Sequence, residues 1–296
     1  MACTAAVAAH GGAGRWRPDR GYSAVERALS EAIERGLEEI ERGALAAAVE
    51  AVRVLEDSEV LNAGSGSTLN SEGCVEMDAG VMDGSTGDAG AVGALRGFRN
   101  PVLAALEVMR STPHVLLVGE GAARLAELAG LARLEPTCRG EAPAWPLEGR
   151  PWARALSPLV DTVGAVALDD ECRLAAAAST GGITGKLPGR VGDTPIPGAG
   201  FYASRSAAVV ATGIGEVIIL ESASRRAVEL VERLGDLVEA LNAVVSEVTA
   251  RRGRGTLGLL GLDVRGRVGA SHNFQAMPWG YAKLGERPRI LGLPSL

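Results

Sequence analysis

Four short segments combine hydroxyl or charged side chains with glycine, and the residue types that could do chemistry concentrate there. They are DTVGAV at 161–166, STGG at 179–182, GRVGD at 189–193 and TGIGE at 212–216. A threonine hydroxyl can serve as a nucleophile when a base activates it, and an arginine fork binds carboxylates. Each segment alone is typical of a strand that ends in a glycine turn. The four together are far more specific than any one of them.

Other common catalytic signatures are missing. The three histidines lie far apart and form no H-E-x-x-H pair, which argues against a catalytic zinc. The G-x-G-x-x-G match at 253–258 precedes a predicted strand, so we interpret it as a turn. There is no P-loop and no G-x-S-x-G nucleophile elbow. The four cysteines contain no C-x-x-C pair, and we interpret them as isolated buried thiols.

Length and composition restrict the class of protein. The chain has 296 residues, of which 47% are hydrophobic and 22% charged, and its net charge is −6. A chain of this length buries about 75% of its unfolded surface, so a large core is expected. The negative charge, without any basic run, argues against nucleic-acid and membrane partners. No apolar run approaches the roughly 20 residues of a membrane helix, and no secretory signal begins the sequence, so we expect a cytoplasmic protein.

The order of predicted elements favours a layered fold. Strand and helix patterns alternate irregularly up to residue 135, and the segment 135–161 then carries five prolines. Because proline disfavours regular structure, we interpret 135–161 as a linker. A strand restarts at Thr162, three helical segments fill 216–250, and two strands follow. Such runs suit an α+β fold better than strict βαβ alternation.

The sequence resembles the plant-type (type III) L-asparaginase and isoaspartyl peptidase family, a branch of the N-terminal-nucleophile hydrolases. The resemblance extends from residue 10 almost to the end, apart from the proline-rich linker. It is carried by HGGAG at 10–14, NAG at 62–64, EMDA at 76–79, MDG at 82–84 and the four segments described first.

This resemblance implies a four-layer αββα sandwich and a precursor that cleaves itself between Asp161 and Thr162. The products would be an α chain, 1–161, ending in the processing linker, and a β chain, 162–296. Two copies of each would form a heterotetramer. Cleavage would expose the α-amine of Thr162, whose ordinary pKa of about 7.7–8.0 suits a general base, so no histidine is required.

The matched motifs imply a role for each site residue. Thr162 would be the nucleophile and, through its amine, the general base, while Thr180 would orient it. Arg190 would hold the substrate α-carboxylate through its planar fork, and Asp193 would pair with the α-ammonium.

The remaining roles concern the oxyanion and the surroundings of the nucleophile. Thr212 and the backbone N–H of Gly213 would stabilise the oxyanion, a contribution of about 3–4 kcal/mol per donor. Gly215 would offer a backbone contact to the ammonium group, and Asn62 would position groups around the Thr162 amine. No organic cofactor is implied. A structural sodium would be held by backbone carbonyls of a loop containing Leu55, Glu56, Ser58 and Leu61.

The resemblance leaves the subfamily open. The asparaginase branch usually has glycine where Asp161 stands, and Asp-Thr is similar to the glycosylasparaginases and threonine aspartases, as PIPGAG at 195–200 is to the glycosylasparaginases. Asp193 argues against a protein-cutting threonine aspartase, which needs no ammonium partner. We expect hydrolysis of the L-asparagine side-chain amide and of β-aspartyl dipeptides through an ester on Thr162. The alternatives are a glycosylasparaginase and an unprocessed binding scaffold.

Overall fold

The computed structural model describes residues 3–14, 16, 22–135, 137–138 and 162–293. The strands in this part of the chain are β1 (Ala6–His10), β2 (Met77–Asp83), β3 (Ala89–Leu95), β4 (Leu116–Val118), β5 (Val163–Leu168), β6 (Leu174–Thr180), β7 (Phe201–Ala203), β8 (Ala207–Gly213), β9 (Leu257–Asp263), β10 (Val268–His272), β11 (Trp279–Lys283) and β12 (Arg289–Leu291). The α-helices are α1 (Tyr22–Glu38), α2 (Ala44–Asp57), α3 (Pro101–Ser111), α4 (Gly119–Leu128), α5 (Gly215–Glu221), α6 (Ala223–Leu234) and α7 (Leu237–Arg252).

The strands form two sheets. The larger has eight strands in the order β12-β11-β1-β5-β6-β2-β3-β4, and the smaller has four in the order β10-β9-β8-β7. Strand β1 pairs antiparallel with both β11 and β5. The centre of the larger sheet therefore combines segments from both sides of the expected cleavage bond.

Three apolar clusters fill the spaces between four layers. Val7 and Ala9 of β1 belong to the cluster that packs the larger sheet against α1, α2 and α3. Ala6 and Ala8 point the other way, into the cluster between the two sheets, as the two-residue period of a strand requires. The third cluster packs the smaller sheet against α5, α6 and α7. This order of layers confirms the predicted α+β sandwich of αββα type.

The strand that restarts at Thr162, the three helical segments of 216–250 and the two strands that follow them agree with the prediction, but β7, β8, β11 and β12 were missed. Most of the predicted linker, 135–161, lies outside the described residues. No helix in the described ranges has the length and apolar character that crossing a bilayer requires.

The interpretation of the cysteines as isolated thiols is wrong. Cys3 is bonded to Cys172 across 169 residues of sequence, and Cys74 is bonded to Cys138. The first pair forms because the antiparallel pairing of β1 with β5 brings the residues before β1 to the turn after β5. The Cys3 N–H accordingly donates to the Asp170 carbonyl at 3.2 Å.

Candidate active site

Thr162 and Thr180 lie side by side at one end of the larger sheet. Thr162 immediately precedes β5 and Thr180 is the last residue of β6, and the register pairs Val163 with Ser179. The Thr162 hydroxyl donates to Thr180 Oγ1 at 3.3 Å, and the Gly182 N–H donates to the same oxygen at 2.9 Å. Both threonines are almost completely buried. This contact is compatible with the orienting role predicted for Thr180, which stays a prediction.

Asn62 fixes the loop that follows β6. Its side-chain Nδ2 donates to the Gly182 carbonyl at 2.7 Å, and its Oδ1 accepts from the Thr68 N–H at 2.9 Å. Its backbone carbonyl accepts from Gly181 N–H at 3.0 Å. Asn62 therefore holds the loop that in turn holds Thr180, and its predicted role around the Thr162 amine stays a prediction.

Thr212 enters the site from the smaller sheet. It lies near the end of β8, and its Oγ1 accepts a hydrogen bond from the Ala13 N–H at 3.1 Å. The Thr212 hydroxyl acts as the acceptor in this bond and does not use its own proton. That proton can therefore be donated to a substrate oxygen.

Two close approaches fix the backbone around Thr212. The next residue, Gly213, has φ +139°, and a Cβ there would lie 2.4 Å from the Thr256 carbonyl oxygen, so only glycine fits. A Cβ on Gly164 would lie 3.0 Å from Val210 Cβ. Strands β5 and β8 therefore meet two residues from Thr162 and Thr212, on facing sheets.

Arg190, Asp193 and Gly215 form one charged corner. A Cβ on Gly215 would lie 2.7 Å from Arg190 Nη2 and 2.8 Å from Asp193 Oδ1. Both charged groups thus touch the first residue of α5. Opposite charges at one backbone position suit a substrate carbon that bears both a carboxylate and an ammonium group.

Glu216 is the ion-pair partner of Arg190. Arg190 Nε donates to Glu216 Oε1 at 3.0 Å and Nη2 donates to Oε2 at 2.9 Å. Burial opposes the charge on Arg190, but this carboxylate outweighs it and raises the guanidinium pKa. The acidic partner of Arg190 is thus Glu216, and the structure shows no salt bridge between Arg190 and Asp193 among the described residues.

The Asp193 carboxyl is buried with an unused oxygen. Its Oδ2 has no hydrogen-bond partner among the described residues. Burial raises the pKa of Asp193 to about 7, although the positive charge of Arg190 works in the opposite direction. A buried carboxyl of this kind favours the binding of a cation.

Two further carboxylates hold the loop that carries Arg190 and Asp193. Glu76 accepts from Gly189 N–H at 3.0 Å, and Asp78 accepts from Gly192 N–H at 3.0 Å. Lys186 Nζ, in the same loop, donates to the Glu76 carbonyl at 2.8 Å. The EMDA motif at 76–79 carries part of the family resemblance, but nothing in its local pattern predicts these contacts.

His10 is a further neighbour of Thr162, and the sequence predicts no role for it. It is completely buried, and its Nδ1 accepts from Gly12 N–H at 3.2 Å. Burial lowers the pKa of His10 to about 3, although hydrogen bonding to the Thr162 backbone acts in the opposite direction. The ring therefore stays neutral and packs against Gly164 of β5, two residues after Thr162.

The predicted sodium loop has carbonyl oxygens of the required kind. The Leu55 carbonyl accepts from Ser58 N–H at 3.3 Å, and the Leu61 carbonyl accepts from Ala63 N–H at 2.9 Å. The Leu55 carbonyl also accepts from the Ser58 hydroxyl at 2.7 Å, whereas the Leu61 carbonyl keeps a second lone pair for a cation that prefers oxygen ligands, so the sodium site stays a prediction. Within the described ranges, no three histidine, cysteine, aspartate or glutamate residues cluster as a metal site.

The comparisons with known proteins agree with this geometry. The profile of the asparaginase family matches residues 3–291. The plant-type L-asparaginase of Pyrobaculum calidifontis is 47% identical over 288 residues, which cover 94% of this chain and 96% of the relative. The isoaspartyl peptidase of Salmonella typhimurium is 43% identical over 302 residues, with 94% and 96% covered. The isoaspartyl peptidase/L-asparaginase of Xenopus laevis is 38% identical, with 94% and 92% covered. The chain therefore belongs to the asparaginase family that includes the plant-type L-asparaginases and isoaspartyl peptidases.

Proposed function

We propose that this protein hydrolyses the side-chain amide of L-asparagine and the β-aspartyl bond of isoaspartyl dipeptides, with Thr162 as the nucleophile. The observation that carries the proposal is the hydrogen-bonded Thr162–Thr180 pair on one sheet, together with the corner formed by Arg190 and Asp193. The first group supplies a nucleophile, and the second supplies both halves of amino-acid recognition.

Activation requires cleavage of the Asp161–Thr162 peptide bond. Water adds across that bond, so that Asp161 gains a carboxylate and Thr162 gains a free α-amine. The amine takes the proton of the Thr162 hydroxyl as its oxygen attacks the β-carbonyl carbon of the substrate. The Thr212 hydroxyl and the Gly213 N–H stabilise the resulting oxyanion.

The second half of the reaction restores the enzyme. The protonated amine gives its proton to the leaving nitrogen, which departs as ammonia or as the amine of the second residue. Water, activated by the same amine, then attacks the β-aspartyl ester and releases aspartate. Arg190 and Asp193 hold the amino-acid end throughout, because its charges do not change during the reaction.

Asp161 and PIPGAG at 195–200 are the sequence features similar to the glycosylasparaginases, but the names of the three relatives describe asparagine or isoaspartyl substrates, so the alternative is not better supported. The test is to assay purified, processed protein with L-asparagine, a β-aspartyl dipeptide and a glycosylated asparagine, measuring the release of aspartate. Turnover of the first two supports the proposal. Turnover of the glycosylated substrate alone would replace it with the alternative.

Three finer features belong to the same proposal. We propose the cytoplasm as the location, two α and two β chains as the assembly, and sodium in the loop of Leu55 and Leu61. Cell fractionation tests the location, and light scattering after gel filtration tests the assembly. The melting temperature in sodium chloride, compared with that in choline chloride, tests the sodium site.

A further inference from the structure

We propose that Glu216 is a positioning residue that fixes the Arg190 guanidinium for the substrate carboxylate. This inference rests on the proposed function and goes beyond it, because Glu216 touches the arginine rather than the reacting atoms. Glu216 lies one residue after Gly215, against which Arg190 and Asp193 pack. Its carboxylate therefore approaches the guanidinium from the start of α5.

Glu216 leaves unoccupied the edge of the Arg190 guanidinium that Nη1 and Nη2 form together. The carboxylate binds Nε and one side of Nη2. An arginine has five N–H donors, and the end of the fork, formed by Nη1 and Nη2, keeps one parallel pair for a second carboxylate. Glu216 and the substrate can therefore bind Arg190 together. Without Glu216, the guanidinium would be drawn towards the buried Asp193, whose charge also acts on it.

The test compares Glu216→Gln and Glu216→Ala with the wild type on two substrates. One is L-asparagine, and the other is 3-aminopropanamide, which keeps the amide and the amine but lacks the α-carboxylate. We expect kcat/KM for asparagine to fall about tenfold in Glu216→Gln and about a hundredfold in Glu216→Ala, mainly because KM rises. For 3-aminopropanamide, both variants should match the wild type.

A matched control separates positioning from loss of structure. Glu229→Gln breaks an exposed pair with Arg225 on the next helix and should leave both substrates unaffected. A wild-type KM for asparagine in both Glu216 variants would overturn the proposal, as would equal losses on the two substrates. If the wild type itself does not hydrolyse asparagine, the proposed function fails instead, and calorimetric titration with L-aspartate and with 3-aminopropanamide then tests Glu216 separately: only the affinity for L-aspartate should fall in the Glu216 variants.

A second inference comes from the disulfides. We infer that the Cys3–Cys172 bond joins the α and β chains covalently after processing. Cys3 belongs to the segment before the Asp161–Thr162 bond and Cys172 to the segment after it. The inference rests on the proposed cleavage, and the disulfide itself is independent of it.

The position of this bond separates it from the chemistry. Thr162 precedes β5, whereas Cys172 follows it, so the strand of six residues places them about 20 Å apart. When the bond forms, the two thiols lose two protons and two electrons. Dioxygen accepts them, or a small disulfide accepts them through thiol exchange. Hydrolysis of the peptide bond then adds one water without releasing either chain.

The two disulfides supply their own matched control. Cys74 and Cys138 both lie before the cleavage bond, so Cys138→Ser removes a disulfide but leaves the chains joined. Cys172→Ser removes the cross-link between the chains. Both variants should process and turn over asparagine at the wild-type rate, since neither disulfide touches the site.

The experiment measures intact mass under denaturing conditions with and without reductant. Without reductant, the wild type and Cys138→Ser should each give one species, whose mass exceeds that of the oxidised precursor by the mass of one water. Cys172→Ser should give two chains, as all three proteins should after reduction. Separate wild-type chains without reductant would overturn the inference. If no water is gained, cleavage fails instead, and a non-reduced peptide map then decides whether Cys3 and Cys172 are linked or are free thiols.

Discussion

Asp193→Asn is the substitution that tests substrate recognition most directly. The Asp193 carboxyl is only 4% exposed, and its Oδ2 has no partner among the described residues, so the α-ammonium of the substrate would supply the missing contact. Losing a buried charged contact costs about 2–5 kcal/mol. We therefore expect kcat/KM for asparagine to fall by a factor between about 30 and a few thousand, at about 1.4 kcal/mol for each factor of ten. Processing at Thr162 should continue, because no substrate takes part in it.

The pH dependence gives the prediction a second signature. Only ionised Asp193 pairs with an ammonium group, and burial raises its pKa to about 7. The pH dependence of kcat/KM reports the pKa values of groups in the free enzyme. We therefore expect kcat/KM to rise as pH increases through 7. In Asp193→Asn this limb should disappear and leave only the limb of the Thr162 amine, whose ordinary pKa is about 7.7–8.0.

The same carboxyl should destabilise the protein at high pH. A carboxyl whose pKa is raised from 3.8 to about 7 binds more protons folded than unfolded between those values. The free energy of unfolding therefore falls as pH rises through that window, by at most about 1.4 kcal/mol per pH unit. Asp193→Asn should lack this fall, so its melting temperature relative to the wild type should be higher at pH 8 than at pH 5.

The assay uses free and N-acetylated asparagine, with aspartate or its N-acetyl form as the measured product. The wild type should act poorly on the N-acetylated substrate, and Asp193→Asn should lose little more. Asp88→Asn, at an exposed turn, is the control and should behave as the wild type. Equal wild-type turnover of the two substrates would refute the assignment of Asp193 to the ammonium group.

Three further substitutions test the reacting end of the site. Thr162→Ala should give a folded, uncleaved and inactive chain, and activity in a preparation of uncleaved Thr162→Ala would exclude Thr162 as the nucleophile. Thr212→Val removes one oxyanion donor and should lower kcat by about 10²–10³ with little change in KM, measured on processed protein. Thr180→Val should slow both processing and turnover, because it removes the acceptor of the Thr162 hydroxyl; a normal processing rate on a denaturing gel would contradict this.

Several features of the fold could be predicted from the sequence because they depend on local patterns. The α+β class was predicted from the order of the elements, whereas the αββα sandwich was implied by the family resemblance; the family and both statements about the fold are confirmed. Strand β8 was missed although it carries Thr212. All its residues are buried, so it has no alternation of polar and apolar side chains to mark it.

The disulfides were mispredicted because pairing depends on distance in space, not on spacing in sequence. Cys3 and Cys172 are brought together by the β1–β5 ladder, and their separation of 169 residues carries no local signal. The roles of Glu76 and Asp78 escaped prediction for the same reason. Each binds a backbone N–H of a loop more than 110 residues away, at Gly189 and Gly192.

His10 shows why the site can rely on an amine rather than on an imidazole. A histidine beside a threonine nucleophile would suggest a general base, yet burial lowers its pKa to about 3. A group with so low a pKa accepts protons weakly at neutral pH, and its Nδ1 already accepts from Gly12 N–H. A Cβ on Gly164 would lie 2.7 Å from His10 Nε2, so the ring fills the space beside the strand that begins after Thr162. His10 thus packs beside β5 and is a weak base for the Thr162 hydroxyl, which agrees with the proposal that the α-amine created by cleavage takes the proton.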